Sequence, residues 1–230
     1  MAAFLILRLD GPMQAWGTHT FEDYRPVNLF PTRSGLLGLL GACLGLDRRD
    51  HASLTALAES VTFAVRADAA APRPDGDPPV TKPALKLADF HTVLDARKVD
   101  GSANKNPVVS SREYLFDAAF TVAVGTRAEA SFGLERIAEA LRRPRFTPVL
   151  GRRSCPIARP LLEHAEPIEA TDALAALAQV PPVGGVIYSE GKVDGDHDMP
   201  IRDVPSYGRI RQFGTRRVYR IVDQGTGEGT

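Results

Sequence analysis

The 230-residue sequence has only two cysteines, Cys43 and Cys155, far apart in the chain. That excludes a disulfide framework and a paired-cysteine metal site, and it suits a reducing compartment. Long hydrophobic runs are missing too: the longest weakly polar stretch, Gly35 to Leu46, has 12 residues, well short of the ~20 that a membrane-spanning helix requires. The opening MAAFLILRLDGP has no basic leader and no cleavage site, and reaches Arg8 and Asp10 after a short apolar run. It reads as a first strand and not as a targeting segment, which points to a cytoplasmic protein with no membrane contact. Neither charge sign is in excess, with 28 Lys plus Arg against 28 Asp plus Glu, and 43% of residues are hydrophobic. This is a globular composition, long enough for one large domain or two small ones.

Enzyme signatures are also absent. Gly191-Lys192 is followed by Val193, so there is no phosphate-binding Walker loop, and no GxSxG, HExxH or kinase set occurs. The run Asp194-Gly195-Asp196-His197-Asp198 has oxygen ligands for a hard cation, but its surroundings read as a hairpin turn, so neither metal nor cofactor is assigned. Cys155 lies beside Arg152 and Arg153, yet reads as a packed cysteine before Pro156. Metal-free RNA cleavage would need a general base, a general acid and an oxyanion stabiliser. His91, Tyr24 and Lys86 are the candidates, and nothing in the sequence brings them together.

What the chain does have is clustered arginine. From Leu141 to Leu162 there are six arginines and no acid; from Arg202 to Arg220 there are six more against the single acid Asp203. Guanidinium groups bind phosphate in a fork, so these stretches point to a polyanion partner, with a solvated basic face as the plainer alternative.

The apolar run Phe4 to Leu9, closed by Gly11-Pro12, predicts a strand buried on both faces. Residues 10–31 read as a long loop. Pro31-Thr32-Arg33-Ser34 then supplies a capping hydroxyl for a helix from about Arg33. Gly35, Gly38, Gly41 and Gly45 make a bare stripe on it that predicts tight packing on a sheet. Gly35 in its first turn, with Arg33 and Ser34, makes an anion seat. Val61 to Val65 is a second strand, and the Pro-rich residues 69–83 a surface loop. Residues 85–94 and 112–124 are extended and enclose a polar excursion, predicting a long hairpin with a projecting basic tip at Arg97, Lys98 and Lys105. Ser131 can cap a helix through Leu134, Ile137, Ala138 and Leu141. Strand, helix, strand, strand, helix is the split βαβ order of a ferredoxin-like domain. A short Ala-rich helix over Thr171 to Gln179, strands at VGGVIYS and RRVYRIVD, and a frayed GTGEGT tail complete the reading.

Five ordered strings, LILRLDGPMQAWG, FPTRSGLLGLLGACLGL, REYLFDAAFTVAV, RFTPVLGRRSCPIARPL and PVGGVIYSE, lie between Leu5 and Glu190, and the match around them runs from about Phe4 to about Tyr219. Together they resemble the CasD-type subunit of the type I-E Cascade complex, in family five of the CRISPR-associated RAMP proteins. The resemblance implies an α+β, ferredoxin-like RAMP fold over residues 1–160, with a thumb hairpin at about 90–113 and a small β-rich extension over 161–230. It implies a non-catalytic subunit that binds the 5′ handle of the CRISPR RNA (crRNA) and caps one end of a ribonucleoprotein. Its partners would be the backbone subunit and the large subunit. The alternative is a metal-free endoribonuclease, as in type I-C relatives; a scaffold whose arginines meet acidic subunits is a third reading. On the matching strings, Arg33, Ser34 and Gly35 would hold a handle phosphate, and Arg152 and Arg153 would cradle the single strand. Trp16 would stack on a splayed base or pack in the core, and Gln14 would hydrogen-bond the base.

Overall fold

Apolar side chains on both faces of the first strand decide where the core forms. In this computed structural model, which describes residues 1–18, 23–68, 85–181, 184–191, 197–208, 210 and 212–223, β1 (Ala2–Leu9) buries every residue from Phe4 onward. The Pro-rich loop 69–83, Asp194 to Asp196 of the acidic turn and the GTGEGT tail lie outside the described residues. The chain continues through β2 (Met13–Gln14), β3 (Tyr24–Arg25), α1 (Arg33–Leu44), α2 (His51–Ser60), β4 (Val61–Asp68), β5 (Leu85–Val93), β6 (Val108–Phe116) and β7 (Phe120–Thr126). It ends with α3 (Leu134–Arg142), β8 (Ile168–Ala170), α4 (Ala173–Ala178), β9 (Gly185–Ser189), β10 (His197–Ser206) and β11 (Gln212–Asp223).

Seven strands form one antiparallel sheet in the order β10-β11-β9-β4-β7-β1-β8. Within it, β1, β4, β7 and β8 lie in the order β4-β7-β1-β8, with α1 and α2 between the first pair in sequence and α3 between the last. The fold is thus α+β and mostly antiparallel. β8 follows the boundary expected at residue 160, and strands from both sides of that boundary share the sheet. Leu5, Leu7 and Leu9 join a core with Leu36, Leu37 and Leu40 of α1 and Ile137 and Leu141 of α3. Phe4 and Ile6 pack on the other face with Ala176 and Leu177 of α4. The fully buried Arg66 ties α4 down, donating to the carbonyls of Leu177 (2.7 Å) and Val180 (2.7 Å) and pairing with Asp68 (2.8 Å).

Several expectations need correction. Residues 112–124 are two strands in two sheets, broken at Asp117, whose φ of 50° turns the chain. Helix α2 lies where no helix was predicted, capped by Asp50, whose carboxylate accepts from the Ser53 N–H (3.0 Å). The cap of α3 is Gly133 with no side-chain bond, and not Ser131. The glycines of α1 do not form one packing stripe. A Cβ on Gly35 would meet the Trp16 ring at 2.8 Å; Gly38 faces open space; Gly45 ends the helix at φ 73° under the Arg145 side chain.

Candidate nucleic-acid interface

The second sheet positions the exposed cations. β5 and β6 pair in full register from Leu85↔Phe116 to Val93↔Val108, while β2 and the parallel β3 hold the other edge of β6. Bonds from Lys98 N–H to the Ser102 carbonyl (2.8 Å) and from Asn104 N–H to the Ala96 carbonyl (2.8 Å) close the tip, where Arg97, Lys98 and Lys105 are exposed. The shaft also leaves apolar side chains in solvent, among them Phe90 and Leu94.

Arginines converge at the base of this hairpin. Arg25 and Arg112 are register partners on β3 and β6, so their side chains leave the same face. Arg152 reaches them from the following loop: it donates to the carbonyls of Glu113 (2.8 Å) and Arg25 (3.2 Å) and lies over the Tyr114 ring at 4.8 Å. Gly151 permits this approach. Its φ is 91° and a side chain there would collide with the Ala15 carbonyl oxygen. Arg152 uses two of the five guanidinium N–H donors on backbone, and Arg153 beside it is exposed with no ion pair among the described residues. Arg112 donates Nε–H to the Ser110 hydroxyl (3.0 Å).

Of the three catalytic candidates, Tyr24 and Lys86 meet at one carboxylate and His91 stands apart. Tyr24 donates to Glu113 (2.6 Å) and Lys86 pairs with the same carboxylate (3.3 Å), which also accepts the Val27 N–H (2.9 Å). Burial pushes the Glu113 pKa up, but the hydrogen bonds from Tyr24, Val27 and Lys86 outweigh it and hold the group below its ordinary value. Bound to that carboxylate, the Tyr24 phenol is raised. His91 lies on the opposite face of the hairpin, its Nε2 3.1 Å from the Tyr114 hydroxyl and 3.0 Å from Asp89. Strand alternation separates an even-numbered Lys86 from an odd-numbered His91. Cys43 and Cys155 are buried thiols; burial pushes Cys43 up to about 11 and raises Cys155.

The helix-start seat at α1 is filled from within. Arg33 N–H donates to Asp203 Oδ2 (2.7 Å), and the Arg33 guanidinium is buried against Glu190 (2.5 Å) and the carbonyls of Ala58 (2.6 Å) and Val61 (3.1 Å). Arg216 binds Asp203 through two bonds, at 2.6 and 2.8 Å. Ser34 is half-buried beside Thr32, and Gly35 packs on Trp16. The lone acid in the second arginine stretch was the signal for this arrangement. In the same stretch Arg202 donates to the Phe213 carbonyl (3.0 Å) and Arg217 pairs with Asp198, and both side chains stay exposed. Arg209 and Arg211 lie outside the described residues.

Gln14 and Trp16 are in the core instead of on a surface, both 0% exposed. Gln14 Nε2 donates to the carbonyls of Leu9 (3.0 Å) and Ala118 (2.6 Å), and its Oε1 accepts from Trp16 Nε1 (3.0 Å). Arg25, Arg112 and Tyr114 were not singled out from sequence. Arg25 lies in a two-residue strand inside a stretch that reads as a long loop, with no periodicity to flag it. Among the described residues no group of His, Cys, Asp and Glu could hold a metal ion, and no helix is long and apolar enough to cross a membrane.

Residues 4–219 match a family model described as CRISPR-associated protein (Cas_Cas5). The chain is 49% identical over 223 residues to the CRISPR system Cascade subunit CasD of Escherichia coli (strain K12), covering 96% of each. It is similar to a chain of a solved CRISPR RNA-guided surveillance complex at 27% identity and a TM-score of 0.74, over 96% of this chain and 90% of that one. A crystal structure of a Cas protein is similar at 27% identity and a TM-score of 0.64, over 96% and 95% of the two chains.

Proposed function

The chain belongs to the CRISPR-associated Cas5 family, and from that membership we propose that it is the crRNA-binding, non-catalytic subunit of a type I-E Cascade surveillance complex. In this reading the β4-β7-β1-β8 unit is a ferredoxin-like RAMP domain, the β5–β6 hairpin is its thumb, and residues 161–230 add an extension. The protein works in the cytoplasm, holds the crRNA 5′ handle and caps one end of the assembly beside the backbone and large subunits. The relative at 49% identity is named as a Cascade subunit, and the similar structure at 27% is a surveillance complex guided by RNA.

The observation that supports RNA binding is the meeting of Arg25, Arg112 and Arg152 at the hairpin base, with the exposed Arg153 next to Arg152 in the chain. Four guanidinium groups around a solvent-facing strand edge suit a single-stranded phosphate backbone. The exposed Arg97, Lys98 and Lys105 extend the basic track along the thumb. Arg33, Ser34 and Gly35 serve indirectly, fixing α1 and the loop before it, and Gln14 and Trp16 hold the floor beneath the Arg152 loop.

Binding of handle RNA across a salt series tests this. Arg25→Ala and Arg153→Ala should each flatten the log–log slope by about 0.7, the value for one single-strand phosphate contact; unchanged slopes would remove these residues from the interface. Cleavage chemistry needs a base and an acid that converge, each typically contributing ~100-fold or more, whereas Lys86 and His91 lie on opposite faces. Precursor RNA should therefore stay intact with or without chelator. Discrete cuts that disappear in His91→Ala would establish the endoribonuclease reading.

A further inference from the structure

A groove of about 660 Å³ runs along the face of α1 remote from the hairpin, between α1, the start of α2 and the end of β10. Two of its features, Gly38 and Phe146, are not explained by packing within the described residues. Gly38 is exposed in mid-helix and a Cβ there would meet nothing within 4 Å, although glycine weakens a helix interior relative to alanine. Gly35 and Gly45 are explained by Trp16 and by a left-handed turn; Gly38 has no such reason.

Phe146 stands over the same groove, and its placement is fixed by backbone. Its N–H donates to the Ala42 carbonyl (3.0 Å), and the preceding Arg145 N–H donates to the Cys43 carbonyl (2.9 Å), so the segment is bound to the C-terminal end of α1. The residue is nonetheless 49% exposed. A rigidly held aromatic in solvent is the kind of anchor that carries binding energy at protein interfaces, because little freedom remains to be lost.

Charge selects the occupant. Arg48 and Arg49 are exposed at one end of the groove with no ion pair among the described residues. Asp47 and Asp50 beside them keep their charge but are turned to backbone, Asp47 accepting the Arg49 N–H (2.8 Å) and Asp50 capping α2, while the two guanidinium groups have no such partner among the described residues. The floor, made by Gly38, Gly41, Ala42 and Leu54, offers a phosphate no donor, since N–H groups inside a helix are already bonded. An apolar floor of small residues lets a second helix approach closely, and guanidinium groups at its end favour carboxylates.

We propose that this groove receives an amphipathic helix of a neighbouring protein subunit, its apolar stripe on Gly38 and Phe146 and its acidic residues toward Arg48 and Arg49. The proposal rests on the reading that the chain works inside a multisubunit complex. The test uses the full chain co-expressed with the other subunits and guide RNA, with the photoreactive p-benzoylphenylalanine in place of Phe146. The expected result is a crosslink to another protein subunit. Gly38→Leu, whose side chain enters open space and leaves the fold intact, should reduce that crosslink and that subunit's retention at least tenfold, as should Arg48→Glu with Arg49→Glu. A crosslink to RNA, no crosslink in an assembled complex, or full retention of the subunit by Gly38→Leu would overturn the proposal alone. A wild-type chain that assembles with no other subunit would overturn the reading beneath it as well.

Discussion

Gln14 has nothing left to offer a ligand: both amide hydrogens and the carbonyl oxygen are spent on Leu9, Ala118 and Trp16 inside the core. Truncation would leave two carbonyls and an indole N–H buried without partners, at ~1–3 kcal/mol for each unsatisfied group. Gln14→Ala is therefore expected to destabilise the protein by roughly 3 kcal/mol in denaturant unfolding, with handle binding per folded molecule unchanged. The glycines of α1 give a paired experiment. Gly35→Ala forces a Cβ to within 2.8 Å of the Trp16 ring and should cost about 1–3 kcal/mol by overpacking. Gly38→Ala meets open space and should stabilise the isolated chain by about 0.5–1 kcal/mol. Two thermal melts decide whether these glycines differ as their surroundings say.

Among the elements, the β5–β6 hairpin is tied to the body through Glu113, which gathers Tyr24 from β3, Lys86 from β5 and the Val27 N–H. Because its pKa in the folded protein is lowered, Glu113 contributes stability that is present above its unfolded value of about 4.3 and is lost as pH falls through the lower folded value. Hydrogen exchange should show the β5–β6 amides losing protection below about pH 4.3. Glu113→Gln should weaken the same amides at neutral pH and remove that step; an unaltered pH profile would show that the carboxylate does not hold the hairpin. The element was legible from alternation in residues 85–94, but its join to the body was not, since Glu113 meets Tyr24 and Val27 across more than eighty positions.

For the whole molecule, the tip of the β5–β6 hairpin contributes exposed side chains and bonds within itself, while the core lies on the seven-stranded sheet. Replacing residues 97–106 by a short Gly-Ser turn should leave the melting temperature within a few degrees of wild type, about 1 kcal/mol at this size, and should impair incorporation into the complex. A large loss of stability with normal incorporation would make the tip a structural element. The other end of the molecule is held differently. The β10–β11 pair is tied to the start of α1 through Asp203, Arg33 and Arg216, so the C-terminal strands and the helix start form one charged junction.

Local signals in the sequence determined the elements whose stability is local: the doubly buried β1, the Thr32 cap of α1, the apolar stripe of α3 and the first arm of the hairpin, whereas the second arm, expected over 112–124, is β6 (Val108–Phe116). Motif order likewise carried the family. Two short-range signals were missed, the Asp50 cap of α2 and the break at Asp117, because each is a single residue inside a pattern that reads otherwise. Which arginines face solvent was decided only by tertiary structure. Arg33, Arg152 and Arg216 look alike in sequence, yet Glu190, the carbonyls of Glu113 and Arg25, and Asp203 claim them from positions 13 to 157 residues away. A guanidinium is buried or free according to the acceptors that the fold brings within about 3 Å, and no window of sequence contains that distance.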